Sequence, residues 1–166
     1  MKILSFIVSL VVLCSACGKN EQNEEIYNEN NTNIIEGIVY DINERPINGM
    51  YKIYYPDGKI RMEVESKNGK PHGVGKTYDE DGHLQHQASF NDGVLNGDVY
   101  QYYPNGRVHN EMHYLNGVPD GVQKTYDENM KQTVEVNYEK GVPVEGFVFI
   151  NDERIALTSE ELQKFE

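Results

Sequence analysis

The sequence predicts an all-β protein, an elongated single antiparallel sheet of tandem β-hairpin repeats that ends in a short C-terminal capping helix. Three observations support this prediction: glycines recur every 24 residues, the segments between them alternate apolar and polar residues, and Asn-Gly or Asp-Gly pairs mark the turns. Asn-Gly between β-prone segments is a strong hairpin signal, because glycine adopts a positive φ without steric cost. A fixed period of this length indicates a repeat architecture.

Four columns of residues keep the 24-residue period. They are the glycines Gly49, Gly73, Gly97 and Gly121, the tyrosines Tyr54, Tyr78, Tyr102 and Tyr126, the turn glycines Gly58, Gly82 and Gly106, and the glycines Gly69, Gly93, Gly117 and Gly141. Met130 takes the fourth place in the column of turn glycines. Because the columns are independent, we expect each position to have a structural role in its repeat.

A longer period of 48 residues underlies the shorter one. Residues 54–60 resemble residues 102–108, and the sequence Lys-Thr-Tyr-Asp-Glu occurs unchanged at 76–80 and at 124–128. The first unit therefore matches the third, and the second matches the fourth. We infer that a block of two hairpins was duplicated.

Residues 1–17 have the character of a signal peptide. Lys2 supplies a positive charge, and the apolar run after it is too short to span a bilayer as a permanent helix. The segment ends in Leu-Cys-Ser-Ala-Cys and resembles a bacterial lipoprotein signal, with Cys14 where such signals usually carry leucine. The resemblance implies lipidation of Cys17 and a membrane anchor at the bacterial cell envelope, in the outer or the cytoplasmic membrane. The alternative is an ordinary secretory signal with incidental cysteines.

The rest of the chain divides into a tether and a repeat domain. Residues 18–34 are rich in Asn and Glu and poor in large apolar residues, so we expect a disordered tether. Residues 35–157 form the predicted repeat domain. Its first part, residues 35–48, resembles a partial unit and is expected to begin the sheet and cover its first edge.

Residues 158–166 are expected to form a short helix. Thr158 and Glu161 have the spacing of a capping box, in which each side chain bonds the backbone N–H of the other residue. Leu162 and Phe165 are the apolar residues of this segment. They are suited to cover one end of the sheet, as terminal caps do in repeat proteins.

The second strand of every repeat alternates apolar and polar residues, which is typical of a strand with one buried face. Met62 and Val64, for example, alternate with Arg61, Glu63 and Glu65. A single sheet has no second layer, so its apolar face needs cover. We expect twist to curl the sheet, while the tails, a second copy or a partner are the other means of cover.

Charge and motifs exclude several classes of function. The chain carries 27 acidic and 15 basic residues, for a formal net charge of −12. Such a chain repels nucleic acid, so no nucleic-acid partner is expected. No nucleophile elbow, phosphate loop or dinucleotide fingerprint occurs, and we expect neither an enzyme nor a bound cofactor.

The histidines and acidic turns do not match known metal sites. His109 and His113 share a strand face but lie about 13 Å apart at roughly 3.3 Å per residue, too far to bind one ion. Residues 79–82 and 127–129 resemble calcium loops only faintly, and turn chemistry explains their Asp and Asn residues. No metal site is predicted.

Three tyrosines, Tyr55, Tyr100 and Tyr103, are the predicted binding residues. They lie outside the alternating apolar columns, and exposed aromatic side chains favour contact with protein or carbohydrate. The alternative is cross-strand packing, which stabilises a thin sheet by roughly 0.2–1 kcal/mol per pair.

The patterns Gly-x(4)-Tyr-x(3)-Gly and Asn-Gly-x-Pro-x-Gly resemble the membrane occupation and recognition nexus (MORN) repeat over about residues 37–150. The resemblance extends to its bacterial variant, found in YwqK-type antitoxins and in bacterial surface lipoproteins. It implies an interaction scaffold with an as yet unidentified protein partner. The alternatives are an antitoxin or immunity protein that neutralises a toxin, and a module that binds glycan or cell wall. The chain has no Trp, on which related wall-binding hairpins depend.

Overall fold

The computed structural model describes residues 26–165. The predicted signal peptide, the lipidation site Cys17 and residues 18–25 of the predicted tether lie outside the described residues. Neither helix within the described range has the length and hydropathy needed to cross a membrane.

The described part of the chain is all-β, with 63% of its residues in strands. The strands are β1 (Ile26–Asn28), β2 (Thr32–Ile35), β3 (Ile38–Asp41), β4 (Gly49–Tyr54), β5 (Ile60–Lys67), β6 (Lys70–Tyr78), β7 (Leu84–Asn91), β8 (Val94–Tyr102), β9 (Val108–Leu115), β10 (Val118–Pro119), β11 (Gly121–Tyr126), β12 (Gln132–Glu139), β13 (Val142–Ile150) and β14 (Glu153–Ala156). A short helix α1 (Ser159–Leu162) and a 3₁₀ turn (Gln163–Phe165) follow.

Twelve strands form one open sheet that confirms the predicted fold class. From β4 to β14 the strands pair with their neighbours in chain order, all antiparallel, and the short β10 also pairs with β9. The short strand β1 is the exception, because it pairs in parallel with β4 and forms the first edge. Strands β2 and β3 make a separate hairpin.

Successive side chains of a strand point to opposite faces, so the register sorts the sheet into two surfaces. One surface, here the capped face, contains the row Tyr51, Val64, Gly75, Ala88, Val99, Met112, Gln123, Val136 and Gly146. The other, here the charged face, contains the row Lys52, Glu63, Lys76, Gln87, Tyr100, Glu111, Lys124, Glu135 and Phe147. The alternation predicted from the sequence therefore sets both faces.

The N-terminal segment covers the first end of the capped face. Tyr27, Val39, Ile47, Tyr51 and Val64 are buried together and form the main core cluster. Ile47 is 1% exposed, because β3 and the segment after it fold over the first hairpin. Burial of these aliphatic and aromatic side chains stabilises this end by roughly 1.5–3 kcal/mol for each large side chain that is fully buried.

The structure corrects the predicted tether and partial unit. The tether prediction, residues 18–34, fails from residue 26 onward, where Ile26–Asn28 forms an edge strand and Tyr27 is buried. Residues 35–48 do not begin the large sheet but lie over its first hairpin, where the Gly69 N–H donates to the Ile47 carbonyl oxygen. The predicted tether is polar in composition, but its apolar residue Tyr27 packs against residues that lie far along the chain, such as Tyr51 and Val64.

The C-terminal residues cover the other end of the capped face. Val136 and Tyr138 are buried, and a Cβ at Gly146 would lie 2.8 Å from side-chain atoms of both Leu157 and Leu162. The Tyr138 hydroxyl donates to the Phe165 carbonyl oxygen at 3.3 Å. The capping helix predicted from the sequence is therefore present.

The capping box that begins the helix is also present. The Glu161 N–H donates to Thr158 Oγ1, and the Thr158 N–H donates to the Glu161 carboxylate. These bonds satisfy backbone donors that have no partner within the helix.

At one end of the strands, two-residue turns connect each strand to the next. Asn68-Gly69, Asp92-Gly93 and Asn116-Gly117 are typical, and both residues of each turn have positive φ. The glycine N–H of each turn donates to a carbonyl of the preceding repeat, as Gly93 does to Pro71 and Gly117 to Leu95, both at 2.8 Å. Backbone hydrogen bonds therefore connect successive repeats at this end of the strands.

The other end of the strands has five-residue turns, here called the long turns, at 55–59, 79–83, 103–107 and 127–131. Gly58, Gly82 and Gly106 have φ values of 88°, 92° and 79°, and Met130 adopts 67° in the same position. All eleven glycines of the predicted repeat columns have positive φ. Of these, Gly97 (φ 114°) lies at a register shift, where its missing Cβ would be 3.0 Å from Ser89 Cβ.

Candidate interaction surface

The charged face presents a row of residues with alternating charge. Lys52 pairs with Glu63 at 3.5 Å, and Lys124 pairs with Glu111 at 3.5 Å. Each pair joins neighbouring strands, since the register places the two residues opposite each other. Ion pairs near a protein surface contribute about 0–1 kcal/mol each, so these two pairs add little to the stability of the sheet.

Arg154 closes this row at its C-terminal end. Its guanidinium lies 3.4 Å from the centroid of the Phe147 ring and donates to Glu135 at 2.9 Å. The hydrogen bond from Gln132, with a further one from Arg154, lowers the pKa of Glu135 below its usual value. The charged face is thus largely neutralised by its own side chains.

Two tyrosines of the repeat column brace the same face. The Tyr78 hydroxyl donates to the Glu63 carboxylate at 2.8 Å, and the Tyr126 hydroxyl donates to Glu111 at 2.9 Å. Burial, followed by the neighbouring carboxylate, raises the pKa of each tyrosine to about 12. These contacts explain why the column keeps tyrosine at these positions.

The capped face is open between its two ends. Its central strands carry a polar row comprising Thr77, His86, Gln101, Asn110 and Thr125. Within this row His86 Nδ1 lies 3.1 Å from Thr77 Oγ1, and Gln123 Nε2 donates to Asn110 Oδ1 at 3.0 Å. An apolar cleft of about 150 Å³ lies beside it, between Val64, Ala88 and Phe90.

Tyr55 and Tyr103, two of the predicted binding residues, link adjacent long turns. The Tyr55 hydroxyl donates to the Tyr78 carbonyl oxygen at 2.8 Å, and the Tyr103 hydroxyl donates to that of Tyr126 at 2.9 Å. Both side chains are half-buried, and the Tyr103 ring lies 4.5 Å from that of His109. These two tyrosines therefore have a structural role, because each connects one hairpin to the next by a hydrogen bond.

Tyr100, the third predicted binding residue, lies on β8 in the charged face. Its ring centroid is 6.3 Å from that of Tyr102. Burial, with the nearby carboxylates of Asp98 and Glu111, raises the pKa of Tyr100. It lines a polar cleft of about 200 Å³ with Asp98, Glu111 and His113. Tyr55 lies four strands away, roughly 19 Å at about 4.8 Å per strand, so the three tyrosines do not form one patch.

One group of acidic and histidine side chains within residues 26–165 has the spacing of metal ligands: Asp79, Asp81 and His83, whose ligand atoms lie within 4.8 Å of one another. Asp79 Oδ1 already accepts the N–H groups of Asp81 and His83, at 3.0 and 2.8 Å. The N–H of His83 is the main cause of the lowered pKa of Asp79. Asp127 bonds the N–H groups of its own turn in the same way, so this arrangement builds the turn.

Sequence reasoning missed the contacts between long turns. Lys59 donates to the Glu80 carbonyl oxygen, and Arg107 donates to that of Glu128 at 2.6 Å. The 48-residue period was the available signal, because only the first and third turns begin with Tyr-Pro and end with Lys or Arg.

The fold and these surfaces define a capped all-β repeat protein with open central strands. Three consecutive segments of the chain, residues 47–68, 71–92 and 95–116, match the family model of the MORN repeat variant. This confirms the resemblance for these three tandem repeats. MORN repeats are in general modules for interaction with proteins and membranes. No curated protein matches the chain.

Two solved structures show a distant similarity. The crystal structure of accessory secretory protein 1, 2 and 3 in Streptococcus pneumoniae is 15% identical with a TM-score of 0.40, covering 80% of this chain and 27% of that one. The GtfA/B complex bound to UDP and GlcNAc is 11% identical with a TM-score of 0.29, covering 81% and 25%. The chain thus spans about a quarter of the length of each, and similarity at this level carries no functional argument.

Proposed function

We propose that this chain is a non-enzymatic lipoprotein of the bacterial cell envelope whose repeat sheet is a scaffold for protein–protein contact. The proposal rests on which parts of the capped face are buried by other parts of the chain and which parts are exposed. The chain's own ends bury Tyr51 and Val64 of the first hairpin and Val136 and Tyr138 of β12, while the residues of the central strands β7 to β9 are half-buried or exposed. A sheet with one uncovered stretch fits a protein that binds a partner there.

The composition of the central strands supports a protein as the partner. The polar row supplies amide, hydroxyl and imidazole groups, and the adjacent cleft is apolar. Protein interfaces combine an apolar centre with about one hydrogen bond per 100–200 Å². The net charge of −12 favours a basic partner and disfavours nucleic acid.

The proposed anchor is a lipid on Cys17. Acyl chains contribute roughly 0.8 kcal/mol per buried CH₂, and more than one chain holds a protein firmly at a membrane. Metabolic labelling with a palmitate analogue tests this part of the proposal. Cys17→Ser should abolish labelling and release the protein, whereas Cys14→Ser, the matched control, should keep both. Equal labelling of the two variants would contradict the assignment.

The scaffold function is tested by photo-crosslinking in cells with a photoreactive phenylalanine. At Gln101, on an open central strand, we expect a discrete adduct with a protein. At Glu160, on the exposed side of the capping helix, we expect none. A carbohydrate adduct at Gln101, or protein adducts at both sites alike, would overturn the proposal.

A further inference from the structure

The long turns are joined in pairs by two donors. In the first block, the hydroxyl of Tyr55 and the ammonium of Lys59 donate to the carbonyl oxygens of Tyr78 and Glu80. In the second block, Tyr103 and Arg107 donate to the carbonyl oxygens of Tyr126 and Glu128. Each block therefore holds its two long turns together with one phenol and one cation.

The joint between the blocks lacks these donors. Asp79 and His83 occupy the positions of Tyr55 and Lys59, 24 residues on. The carbonyl oxygens that correspond to those of Tyr78 and Glu80 belong to Tyr102 and Pro104. Among the described residues, no side chain donates a hydrogen bond to either.

A cleft of about 160 Å³ opens at this joint. The residues that matter for its chemistry are Asp79, His83, Leu84, His86, Tyr102 and Pro104. The lining therefore includes apolar residues and the turn aspartate Asp79. Inside each block a side chain of the preceding turn occupies the corresponding space, so the internal repeat shows what kind of group fits.

We propose that this cleft binds an arginine side chain of a partner protein, a proposal that deepens and rests on the scaffold function. The guanidinium donates to the carbonyl oxygens of Tyr102 and Pro104, as Tyr103 and Arg107 do at the next turn. It pairs with the Asp79 carboxylate. Arginine combines five donors with a permanent charge.

Charge selects arginine over the neutral alternatives. The joint replaces a donor, tyrosine, with an acceptor, Asp79, whose Oδ2 lies 3.2 Å from His83 Nδ1, and Asp81 adds a second carboxylate in the same turn. A ligand here must therefore donate hydrogen bonds and carry positive charge. Tyrosine satisfies only the first condition. A charge-assisted hydrogen bond is about twice as strong as a neutral one.

The direct test is an NMR titration of the full folded chain with N-acetyl-argininamide. We expect amide shifts confined to residues 79–86 and 101–104, saturating in the millimolar range. N-acetyl-citrullinamide has the same shape without the charge, and should bind at least about tenfold more weakly, consistent with loss of a charge-assisted contact. Shifts scattered over the surface, or equal binding of the two compounds, would overturn the proposal.

A turn transplant supplies the matched variant. Asp79→Tyr, Glu80→Pro and His83→Lys copy the sequence of residues 55–59 into the joint, where Asp81 can accept the backbone N–H as Asp57 does. This variant should fill the cleft and lose the argininamide shifts. Asp127→Tyr changes the equivalent aspartate outside the cleft and should keep them. Unchanged binding by the transplant would contradict the site.

A milder variant guards against misfolding. Asp79→Asn keeps an oxygen for the turn N–H groups and removes only the charge. It should weaken argininamide binding at least about fivefold, as expected for loss of the charged partner. Retention of full affinity would contradict the role of the carboxylate.

Photo-crosslinking at Gln101 separates this proposal from the scaffold function. If the transplant variant forms the same protein adduct in equal yield, the arginine site is wrong and the scaffold function stands. If wild type forms no protein adduct but binds argininamide at the cleft, the scaffold function is wrong as the role of this surface. Loss of the adduct in the transplant alone supports both.

Discussion

The hydroxyl of Tyr103 donates a hydrogen bond to the carbonyl oxygen of Tyr126, 2.9 Å away, across two neighbouring long turns. Tyr55 makes the same bond to Tyr78 at 2.8 Å, 48 residues earlier. The sheet ladder alone has a period of 24 residues, and these bonds double it. At the end of the strands where the long turns lie, the structural unit is therefore a pair of hairpins.

Removing the hydroxyl of Tyr103 should destabilise the second block. Tyr103→Phe keeps the ring against His109 and loses one hydrogen bond, which we expect to lower the free energy of unfolding by about 0.5–1.5 kcal/mol. Urea denaturation measures this change. Tyr100→Phe is the control, because its hydroxyl makes no such turn-to-turn bond, and should change stability by less than about 0.5 kcal/mol. Equal effects of both substitutions would contradict the role assigned to Tyr103.

Gly106 should tolerate no branched side chain. Its φ is 79°, and a Cβ there would meet no atom within 4 Å, so the cost of Gly106→Val comes from the backbone alone. We expect a loss of about 1–2 kcal/mol or more, since the left-handed region is disfavoured for L-residues and more so for β-branched ones. Thermal melting measures it, and an unchanged melting temperature would contradict the turn geometry.

Met130 provides the reciprocal substitution. It has a φ of 67° in the place of a turn glycine and is 44% exposed. Met130→Gly should relieve the backbone strain and stabilise the protein by about 0.5–1 kcal/mol, after the greater entropy of glycine in the unfolded chain is subtracted. A lower stability in urea would show that the Met130 side chain contributes more than its backbone costs.

Tyr78 and Tyr126 should lose their phenolic protons at a higher pH than an ordinary tyrosine. Burial and the carboxylates of Glu63 and Glu111 raise the pKa of Tyr78 and Tyr126 to about 12, against about 10 in the unfolded chain. Because the folded pKa is raised, the stability they contribute is present below pH ~10 and is lost as the pH rises toward ~12. Tyrosinate absorbance follows this titration.

Glu111→Gln identifies the tyrosine concerned. It removes the neighbouring negative charge, so the pKa of Tyr126 should fall while that of Tyr78 stays high. Glu139→Gln, on an exposed position of β12, should move neither. A late titration that persists for both tyrosines in Glu111→Gln would show that burial and the charge of Glu135 set the pKa of Tyr126 without Glu111.

Much of the fold could be predicted because its signals are local. A two-residue turn with positive φ favours Gly, Asn or Asp, and the glycine columns of the sequence therefore located the turns of the repeats except the fourth long turn, which carries Met130. Strand alternation likewise assigned Val64 and Glu63 to opposite faces. The capping box of Thr158 and Glu161 is a local signal of the same kind.

The remaining features depend on contacts between distant parts of the chain. Tyr27 is buried only because β1 pairs with β4 in parallel, and nothing in its polar neighbourhood indicates that pairing. The place of Tyr55 and Tyr103 in the turn contacts depends on how far one long turn lies from the next. Aromatic composition alone could not distinguish such contacts from a binding site.

Both 48-residue blocks form one continuous sheet through the pairing of β7 with β8. Disulfide formation between engineered cysteines tests it most directly, in a chain with Cys14 and Cys17 replaced by serine. His86 lies opposite Gln101 in the register, at a separation suited to a disulfide, so His86→Cys with Gln101→Cys should oxidise readily. Gln87→Cys with Gln101→Cys places its thiols on opposite faces, because Gln87 lies opposite Tyr100 on the charged face, and should remain reduced. Oxidation of the second pair in preference to the first would contradict the account.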